Sequence, residues 1–233
     1  MNTTRQELER ERPPGLLFVW TDVDEAFEDD FNRWYDQEHI EERVRIPGVL
    51  SGIRYRNRGP GRRYLGLYRT DVLEVFDSEA YRQAFASQTP WSATNLSRMR
   101  HPMRRVCAIE NETGFGTGAW LAVLLLDSMS TAERLEASKA LGKRVQDVDG
   151  VISTRLLMPD TAKSTPLPKE TSEERKMDPI LLIDATNESS ARDAATAAGN
   201  LVPANATTAI LAMMWQLRKS DLARSTPAGG RRE

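Results

Sequence analysis

The sequence predicts an α+β fold in which two βαββαβ units pack sheet to sheet and form one α/β barrel within the chain. Three observations predict it. The chain has 233 residues, which is enough for two units of about 100 residues each. Strand-like and helix-like apolar patterns follow one another in the order βαββαβ, and this order recurs in the next hundred or so residues. Each sheet has one face without helices, and the other sheet can cover it.

The first half contains four strand patterns and two helix patterns. Leu16–Asp22 is an apolar run of strand length. Phe27, Phe31 and Trp34 recur at the i, i+4, i+7 spacing of one helical face, which predicts a helix over residues 25–40. The other predicted elements are strands at 49–57, 64–70 and 103–110, a helix at 77–87 and a loop over 88–102.

The second half repeats this order. Trp120–Asp127 corresponds to the first strand, and Ser130 with Glu133 has the form of a capping box that begins a helix ending near Val145. Gly150–Ser153 corresponds to Gly48–Ser51 at the start of the second strand. The remaining predicted elements are strands at 180–185 and 208–217, a helix at 189–201 and a mobile polar loop over 159–179.

Changes in composition predict the domain boundaries. Residues 1–14 form a charged arm that ends in two prolines and is expected to be disordered. Residues 15–113 form the first unit and carry the candidate site. Residues 114–217 form the second, degenerate unit, and residues 218–233 form a disordered tail.

Composition excludes several classes of protein. Apolar residues make up 39% and charged residues 28%, with a net charge of −2, which is typical of a globular protein and argues against a nucleic-acid binder. The longest apolar stretch, Ala119–Leu126, is far shorter than the roughly 20 residues of a membrane helix. With one cysteine and no secretory pattern, we expect a cytoplasmic protein with a small-molecule ligand; a homodimer is compatible with the sequence.

The candidate site is the cluster Trp34-Tyr35-x-x-Glu38-His39 at the end of the first predicted helix. At 100° per residue, Glu38 falls on the apolar face and His39 at its edge. Histidine can transfer a proton near neutral pH, and a desolvated carboxylate nearby could support its charge. Alternatively, Glu38 is satisfied by a backbone donor or by Arg43 or Arg54, and His39 caps the helix.

The cluster is followed by Ile46-Pro47-Gly48-Val49 and by a strand with Arg54-Tyr55, and in this it resembles the EthD-like group of dimeric α/β-barrel, ferredoxin-like proteins over residues 15–110. The resemblance implies two ferredoxin-like units in one chain, a cavity on the sheet face and a proton-transferring His39. Leu141 stands near the corresponding place of the second half, so one site per chain is expected.

Tyrosine side chains on the strands are further candidates for the same cavity. Tyr64 and Tyr68 share a strand face, so Tyr68 either packs in the core or presents its phenol to the cavity. Trp34, Tyr35, Tyr68 and Arg54 are therefore the candidate substrate-binding residues. The chain contains no H-x-x-x-H, C-x-x-C, G-x-S-x-G or G-x-G-x-x-G pattern, so no metal or nucleotide cofactor is expected.

The leading hypothesis for function is an enzyme that acts by proton transfer, as a lyase or isomerase, on an apolar, aromatic or polyketide-like molecule. His39 is the general acid or base, and Glu38 supports its charge. Three alternatives stay open at this point: cofactor-free oxygenation, haem ligated by His39, and ligand binding without turnover.

Overall fold

The structure is a computed structural model that describes residues 12–126, 140, 145, 147–171, 175–199 and 207–223. Its strands are β1 (Gly15–Val23), β2 (Val49–Asn57), β3 (Tyr64–Thr70), β4 (Met99–Gly114), β5 (Trp120–Leu125), β6 (Val151–Pro159), β7 (Ile180–Ala185) and β8 (Thr207–Arg218). Its helices are α1 (Glu28–Trp34), α2 (Ile40–Arg45), α3 (Glu79–Ala86), α4 (Pro90–Arg98), α5 (Glu188–Gly199) and α6 (Lys219–Leu222). None of these helices is long and apolar enough to cross a membrane.

The strands form one closed antiparallel barrel in the order β1-β3-β2-β8-β5-β7-β6-β4. Within each half the order is the same, β4-β1-β3-β2 in the first and β8-β5-β7-β6 in the second. The two sheets join where β2 pairs with β8 and where β4 pairs with β6. The predicted fold, an α/β barrel closed within one chain, is therefore confirmed.

Apolar side chains fill the middle of the barrel. Every second residue of each strand points inward because successive side chains alternate between the two faces. The inward set is Leu16, Phe18, Trp20, Ile53, Tyr55, Leu65, Leu67, Met103, Cys107, Ile109, Leu121, Val123, Leu157, Ile180, Leu182, Ala209 and Leu211. This core contains residues of both halves, so we expect the two halves to fold as a single unit.

The helices cover the outer face of the barrel. In the first half, α1, α2 and the turn between them pack on β1, β2 and β3 around an aromatic cluster. In the second half, α5 packs on β5, β7 and β8 through alanines. The helix predicted over 130–145 lies outside the described residues except for Ala140 and Val145.

The first predicted helix is interrupted at its centre. A 3₁₀ turn covers Glu25–Phe27, and a π-helical turn covers Tyr35–His39 between α1 and α2, with the Ile40 N–H bonded to the Tyr35 carbonyl. A π turn inserts one extra residue and so rotates the following side chains relative to a regular helix. The observed faces differ from the predicted ones: Phe27, in the 3₁₀ turn, is exposed, while in the π turn His39 is buried and Glu38 is only half-buried.

Two segments predicted as loops are more ordered than expected. Residues 88–102 contain α4, because Thr89 caps its N-terminus by accepting a hydrogen bond from the Ser92 N–H and Pro90 is favourable in a first turn. The polar segment at 159–179 is not free of tertiary contacts: its described residues pack against β4, with Leu167 in the core and Glu170 paired with Arg105.

The predicted start of the tail at residue 218 is also wrong. Arg218 is the last residue of β8, and α6 follows it. The Lys219 ammonium donates to the carbonyls of Val44, Arg45 and Ile46 at 2.7–3.1 Å, which anchors α6 to the end of α2. Residues 224–233 lie outside the described part.

Candidate functional site

The predicted catalytic histidine lies between the helices of the first half and the outer face of β1 and β3. The π turn places His39 there together with Tyr35, and both are buried. Tyr68 faces them from β3. The side chains around the small cavity at this place are Leu17, Val19, Tyr35, His39, Arg43, Tyr68, Tyr81, Phe85, Gln88, Leu96, Met99, Arg104 and Leu167. We call this space the His39 cavity.

Aromatic rings enclose the His39 imidazole on three sides. The centre of the Trp34 ring lies 4.2 Å away and is tilted by 34°, and the Tyr35 and Tyr68 rings meet the imidazole edge-on at 5.0 and 6.1 Å. Burial, together with the positive charges of Arg43 and Arg54, lowers the pKa of His39 well below its usual value of 6.5. His39 is therefore uncharged at neutral pH.

The His39 Nδ1 atom is buried and has no hydrogen-bond partner among the described residues. A buried polar atom left in this state costs about 1–3 kcal/mol, and such atoms are uncommon in folded proteins. The Tyr68 hydroxyl also has no partner in hydrogen-bonding geometry among the described residues, although the Tyr35 hydroxyl lies near it; burial, together with Tyr35, raises the pKa of Tyr68 well above the usual value. The cavity thus holds two polar groups whose hydrogen-bonding capacity is unused.

Gly66 makes room for the two tyrosines. It lies next to Tyr68 along the same strand face, and a Cβ built on it would lie 3.5 Å from the Tyr35 hydroxyl and 3.6 Å from the Tyr68 hydroxyl. The missing side chain therefore allows both phenols to lie over the strand. Burial raises the pKa of Tyr35 as well, so both phenols are neutral.

Glu38 points away from His39 because of the π turn. Its Oε1 atom accepts hydrogen bonds from the Thr89 and Ser92 hydroxyls at 2.6 and 3.0 Å. The Ser92 Oγ in turn accepts from Trp34 Nε1 at 3.0 Å. Glu38 is thus linked to His39 through Ser92 and the Trp34 ring, and neither of its bonding partners is the backbone donor or arginine expected from the sequence.

Arg54 holds the helix layer to the sheet. Its guanidinium is buried, lies 4.2 Å from the centre of the Tyr35 ring, and donates to Asp36 Oδ1 at 2.9 Å and Asn32 Oδ1 at 2.8 Å. Trp215 of β8 also donates to Asp36, at 2.8 Å. Arg54 and Trp34 lie behind the cavity, whereas Tyr35 and Tyr68 line it.

Several residues of the site were not predicted from the sequence to line it. Arg43 and Leu167 line the cavity from α2 and from the segment predicted to be mobile, and Gln88 lies just after α3. Ser92 and Thr89 lie in a segment that was predicted to be a loop. Thr89-Pro90 is, however, a usual signal for the start of a helix. Leu167 had no comparable signal, because its place depends on a contact between distant segments.

The His39 cavity has a volume of about 30 Å³, which is room for one or two water molecules. A haem macrocycle does not fit beside His39, since the ring of Trp34 and the edge of Tyr35 already occupy the space around the imidazole. Among the residues that the structure describes, no three His, Cys, Asp or Glu side chains are grouped so that they could hold a metal ion.

The arrangement suits one kind of chemistry. A neutral imidazole with an unused Nδ1 can accept a proton, and the Arg43 guanidinium in the cavity wall can stabilise the anion left behind. The Tyr68 hydroxyl can donate a hydrogen bond to an oxygen of the same molecule. The remaining wall is mostly apolar, which favours an apolar ligand.

No protein-family model and no curated protein matches this sequence. Several solved structures match its fold. An anthrone oxidase-like protein has a TM-score of 0.59 at 9% identity, covering 91% of this chain and 95% of that one. A candidate monooxygenase from Fusobacterium nucleatum has a TM-score of 0.56 at 11% identity (89% and 95% covered). A candidate monooxygenase from Lactobacillus acidophilus has a TM-score of 0.56 at 10% identity, covering 89% of this chain and 97% of that one.

These similarities concern the fold. The solved structures share the ferredoxin-like α/β barrel, and the chain described here has the same eight-stranded antiparallel barrel. Fold and site together define a protein of this barrel class. On the outer face of its first half it has a small, mostly apolar cavity lined by two residues with unpartnered polar atoms. Identities near 10% say nothing further about its chemistry.

Proposed function

We propose that this protein is a small-molecule enzyme in which neutral His39 removes a proton from a planar, largely apolar substrate. The observation that supports it most directly is the buried, unpartnered Nδ1 of His39 in a cavity that also holds the unpartnered hydroxyl of Tyr68. Buried polar atoms without partners, on two residues that line one cavity, reduce the stability of the folded protein. A substrate that forms hydrogen bonds with both atoms would remove this cost.

The charges around the cavity support removal of a proton rather than its donation. The low pKa of His39 keeps the imidazole in its proton-accepting form at neutral pH. The positive charges that cause part of this shift, those of Arg43 and Arg54, would also stabilise an enolate or phenolate formed beside them. The substrate is therefore a compound with an acidic C–H or O–H next to an aromatic or carbonyl group.

Glu38 acts in this proposal as a positioning residue. Its carboxylate fixes the hydroxyl of Ser92, and Ser92 fixes the Trp34 ring against which the imidazole packs. Trp34 and Arg54 hold the rings of His39 and Tyr35 in place from behind. Tyr35 and Tyr68 are the residues that touch the substrate directly.

A substrate larger than water must displace part of the wall. Phe85 is 37% exposed, and Gln88 lies beside it just after the end of α3. Both can swing towards solvent without disturbing the barrel, which makes this side the route of access. The bound molecule would then take the place of these side chains over Tyr35 and Tyr68.

The fate of the anion separates two reactions. A lyase or isomerase, the leading hypothesis from the sequence, returns the proton to another atom or expels a leaving group. A cofactor-free oxygenase lets the anion react with O₂, and the oxidase-like and monooxygenase names of structures with this fold favour it as the second candidate. Both reactions begin with the same step at His39.

Anthrone is a suitable probe, because it is planar and has an acidic methylene group between two aryl rings. In D₂O, proton NMR should show faster loss of its methylene signal with the wild-type protein than with His39→Gln, by about 10²- to 10⁴-fold. His101→Gln, which changes the chain's other histidine, is the matched control. An oxygen electrode on the same samples separates the two reactions, since only an oxygenase consumes O₂.

Equal exchange rates for wild type and His39→Gln, on protein with unchanged circular dichroism, would exclude His39 as the base. Mass spectrometry of small molecules that copurify with the protein gives an independent view of the substrate. A retained compound without an acidic C–H or O–H, still retained by His39→Gln, would indicate a binding protein without turnover.

A further inference from the structure

A second, larger cavity lies at one end of the barrel, away from His39. It has a volume of about 460 Å³ and opens to solvent, and it is lined by the ends of six strands and by the start of α6. A cavity of this size is in the range of small-molecule sites, whereas the His39 cavity has to expand to take a ligand. We call it the barrel-end cavity.

The barrel-end cavity has an apolar floor and a cationic rim. Leu16, Ile53 and Leu67 form the floor, since they belong to the inward set of the barrel core. The charged lining consists of four cations, Arg69, Arg155, Arg218 and Lys219, and one carboxylate, Glu112. The cavity therefore suits a molecule with an apolar body and a negative charge.

Arg155 is the buried polar group of this cavity. It lies two residues before Leu157 on β6 and so shares the inward face, and its side chain is only 6% exposed. One terminal nitrogen donates to Asp184, while the Nε atom has no partner among the described residues. A guanidinium can donate up to five hydrogen bonds, so Arg155 can bind an acceptor and keep Asp184.

Arg218 and Gln216 complete the polar side. Ser51 pairs with Arg218 and Ile53 with Gln216 across β2 and β8, which places both side chains on the inward face at the open end. Arg69 and Lys219 are less suited to a ligand: Arg69 is bonded twice to Glu112, and Lys219 to three carbonyls.

An inward-pointing arginine at the opposite end of the barrel indicates which kind of group Arg155 can bind. There Arg105 also points inward and is nearly completely buried, and the Glu170 carboxylate of the same chain bonds it. Glu170 also bonds Arg175 at 2.9 Å, so two arginines share one carboxylate. Because the guanidinium fork matches a carboxylate in shape and charge, the same pairing can form with a free acid at the other end.

We propose that the barrel-end cavity binds a small organic acid, with its carboxylate on Arg155 and Arg218 and its aromatic or short aliphatic body on Leu16, Ile53 and Leu67. This site is separate from the His39 cavity, which lies on the outer face of the sheet.

The test uses benzoate as the probe and isothermal titration at low ionic strength. Wild type should bind benzoate at least about tenfold more tightly than benzyl alcohol, which lacks the charge. Gln216→Trp fills the cavity and keeps every charge, so it should abolish binding. Arg218→Gln should weaken binding about tenfold, whereas Arg56→Gln, which removes a charge from the outer face of the same sheet, should not.

Arg155→Lys keeps a charge for Asp184 but loses the planar fork, and should weaken binding with little change in melting temperature. If it fails to fold, Gln216→Trp and Arg218→Gln decide the question. No saturable binding to wild type, unchanged binding in Gln216→Trp, or phosphate binding as tightly as benzoate would overturn the proposal. Benzoate binding that is lost in His39→Gln would also overturn it, since the probe would then occupy the His39 cavity.

Discussion

The two halves of the barrel have the same strand order but opposite kinds of packing on their outer faces. In the first half, the helices meet the sheet through large aromatic rings, and His39 and Tyr68 keep polar atoms without partners. In the second half, α5 meets the sheet through four fully or nearly fully buried alanines, Ala191, Ala194, Ala195 and Ala198. The described alanine packing leaves no space at the sheet, whereas the unpartnered polar atoms of the first half are the ones on which the proposed function rests.

Separating the halves should have the largest effect. Residues 1–116 and 117–233, expressed alone, would each expose half of the barrel core and the strand edges that pair β2 with β8 and β4 with β6. We expect each to aggregate or self-associate in size-exclusion chromatography, and coexpression to restore a soluble pair. Two monomeric halves that unfold cooperatively would show that they are independent domains.

Arg54→Ala tests the aromatic face. It removes the hydrogen bonds to Asp36 and Asn32 and leaves a void against the Tyr35 ring, so urea unfolding should show a loss of about 3 kcal/mol. Arg56→Ala is the matched control, since this half-exposed arginine on the same strand should cost less than about 1 kcal/mol. Similar losses for both variants would contradict a special role of Arg54 in joining helix and sheet.

Ala194→Leu tests the close packing of the second half. Ala194 lies on the face of α5 that packs on the sheet and is completely buried, so a larger side chain there should destabilise the protein by about 1–3 kcal/mol. Thr196→Leu adds similar bulk on the exposed side of the same helix and should change the free energy of unfolding by less than about 0.5 kcal/mol. If Ala194→Leu changes the free energy of unfolding as little as Thr196→Leu does, there is unfilled space between α5 and the sheet.

The pH dependence of stability tests the charge state of His39. Its pKa in the folded protein lies well below the unfolded value of 6.5, so the unfolded chain binds an extra proton in that interval. The contribution of neutral His39 to the free energy of unfolding is therefore complete above pH 6.5. It is lost as the pH falls towards the folded pKa, at up to about 1.4 kcal/mol per pH unit. Denaturant titrations between pH 7 and 5.5 should therefore show a smaller decline in the free energy of unfolding for His39→Phe than for the wild type.

Tyr68→Phe should have the smallest effect on stability. It removes a hydroxyl that has no partner, so the free energy of unfolding should stay constant or rise slightly. The anthrone exchange rate should fall nevertheless, if this hydroxyl bonds the substrate. Tyr64→Phe is the control, because its hydroxyl is bonded to Glu28 and its loss should cost about 1 kcal/mol. A marked destabilisation by Tyr68→Phe would mean that the hydroxyl has a structural role.

Sequence periodicity located Tyr35, His39 and Tyr68 but not the orientation of the helix residues among them. The cluster from Trp34 to His39 and the shared face of Tyr64 and Tyr68 follow from local spacing, which the structure retains. The π turn, by contrast, has no clear local signature. It exchanged the expected positions of Glu38 and His39, because one inserted residue rotates all that follow on the helix.

By itself the sequence determined the order of elements, the repeated architecture and the candidate histidine, since these depend on local apolar spacing and on turn residues such as Gly48 and Gly150, both with positive φ. Only the tertiary structure decided that β2 pairs with β8 and β4 with β6, that Leu167 lines the His39 cavity, and that Arg155 and Arg218 line the cavity at one barrel end. Such contacts join residues far apart in the chain, and no local pattern specifies them.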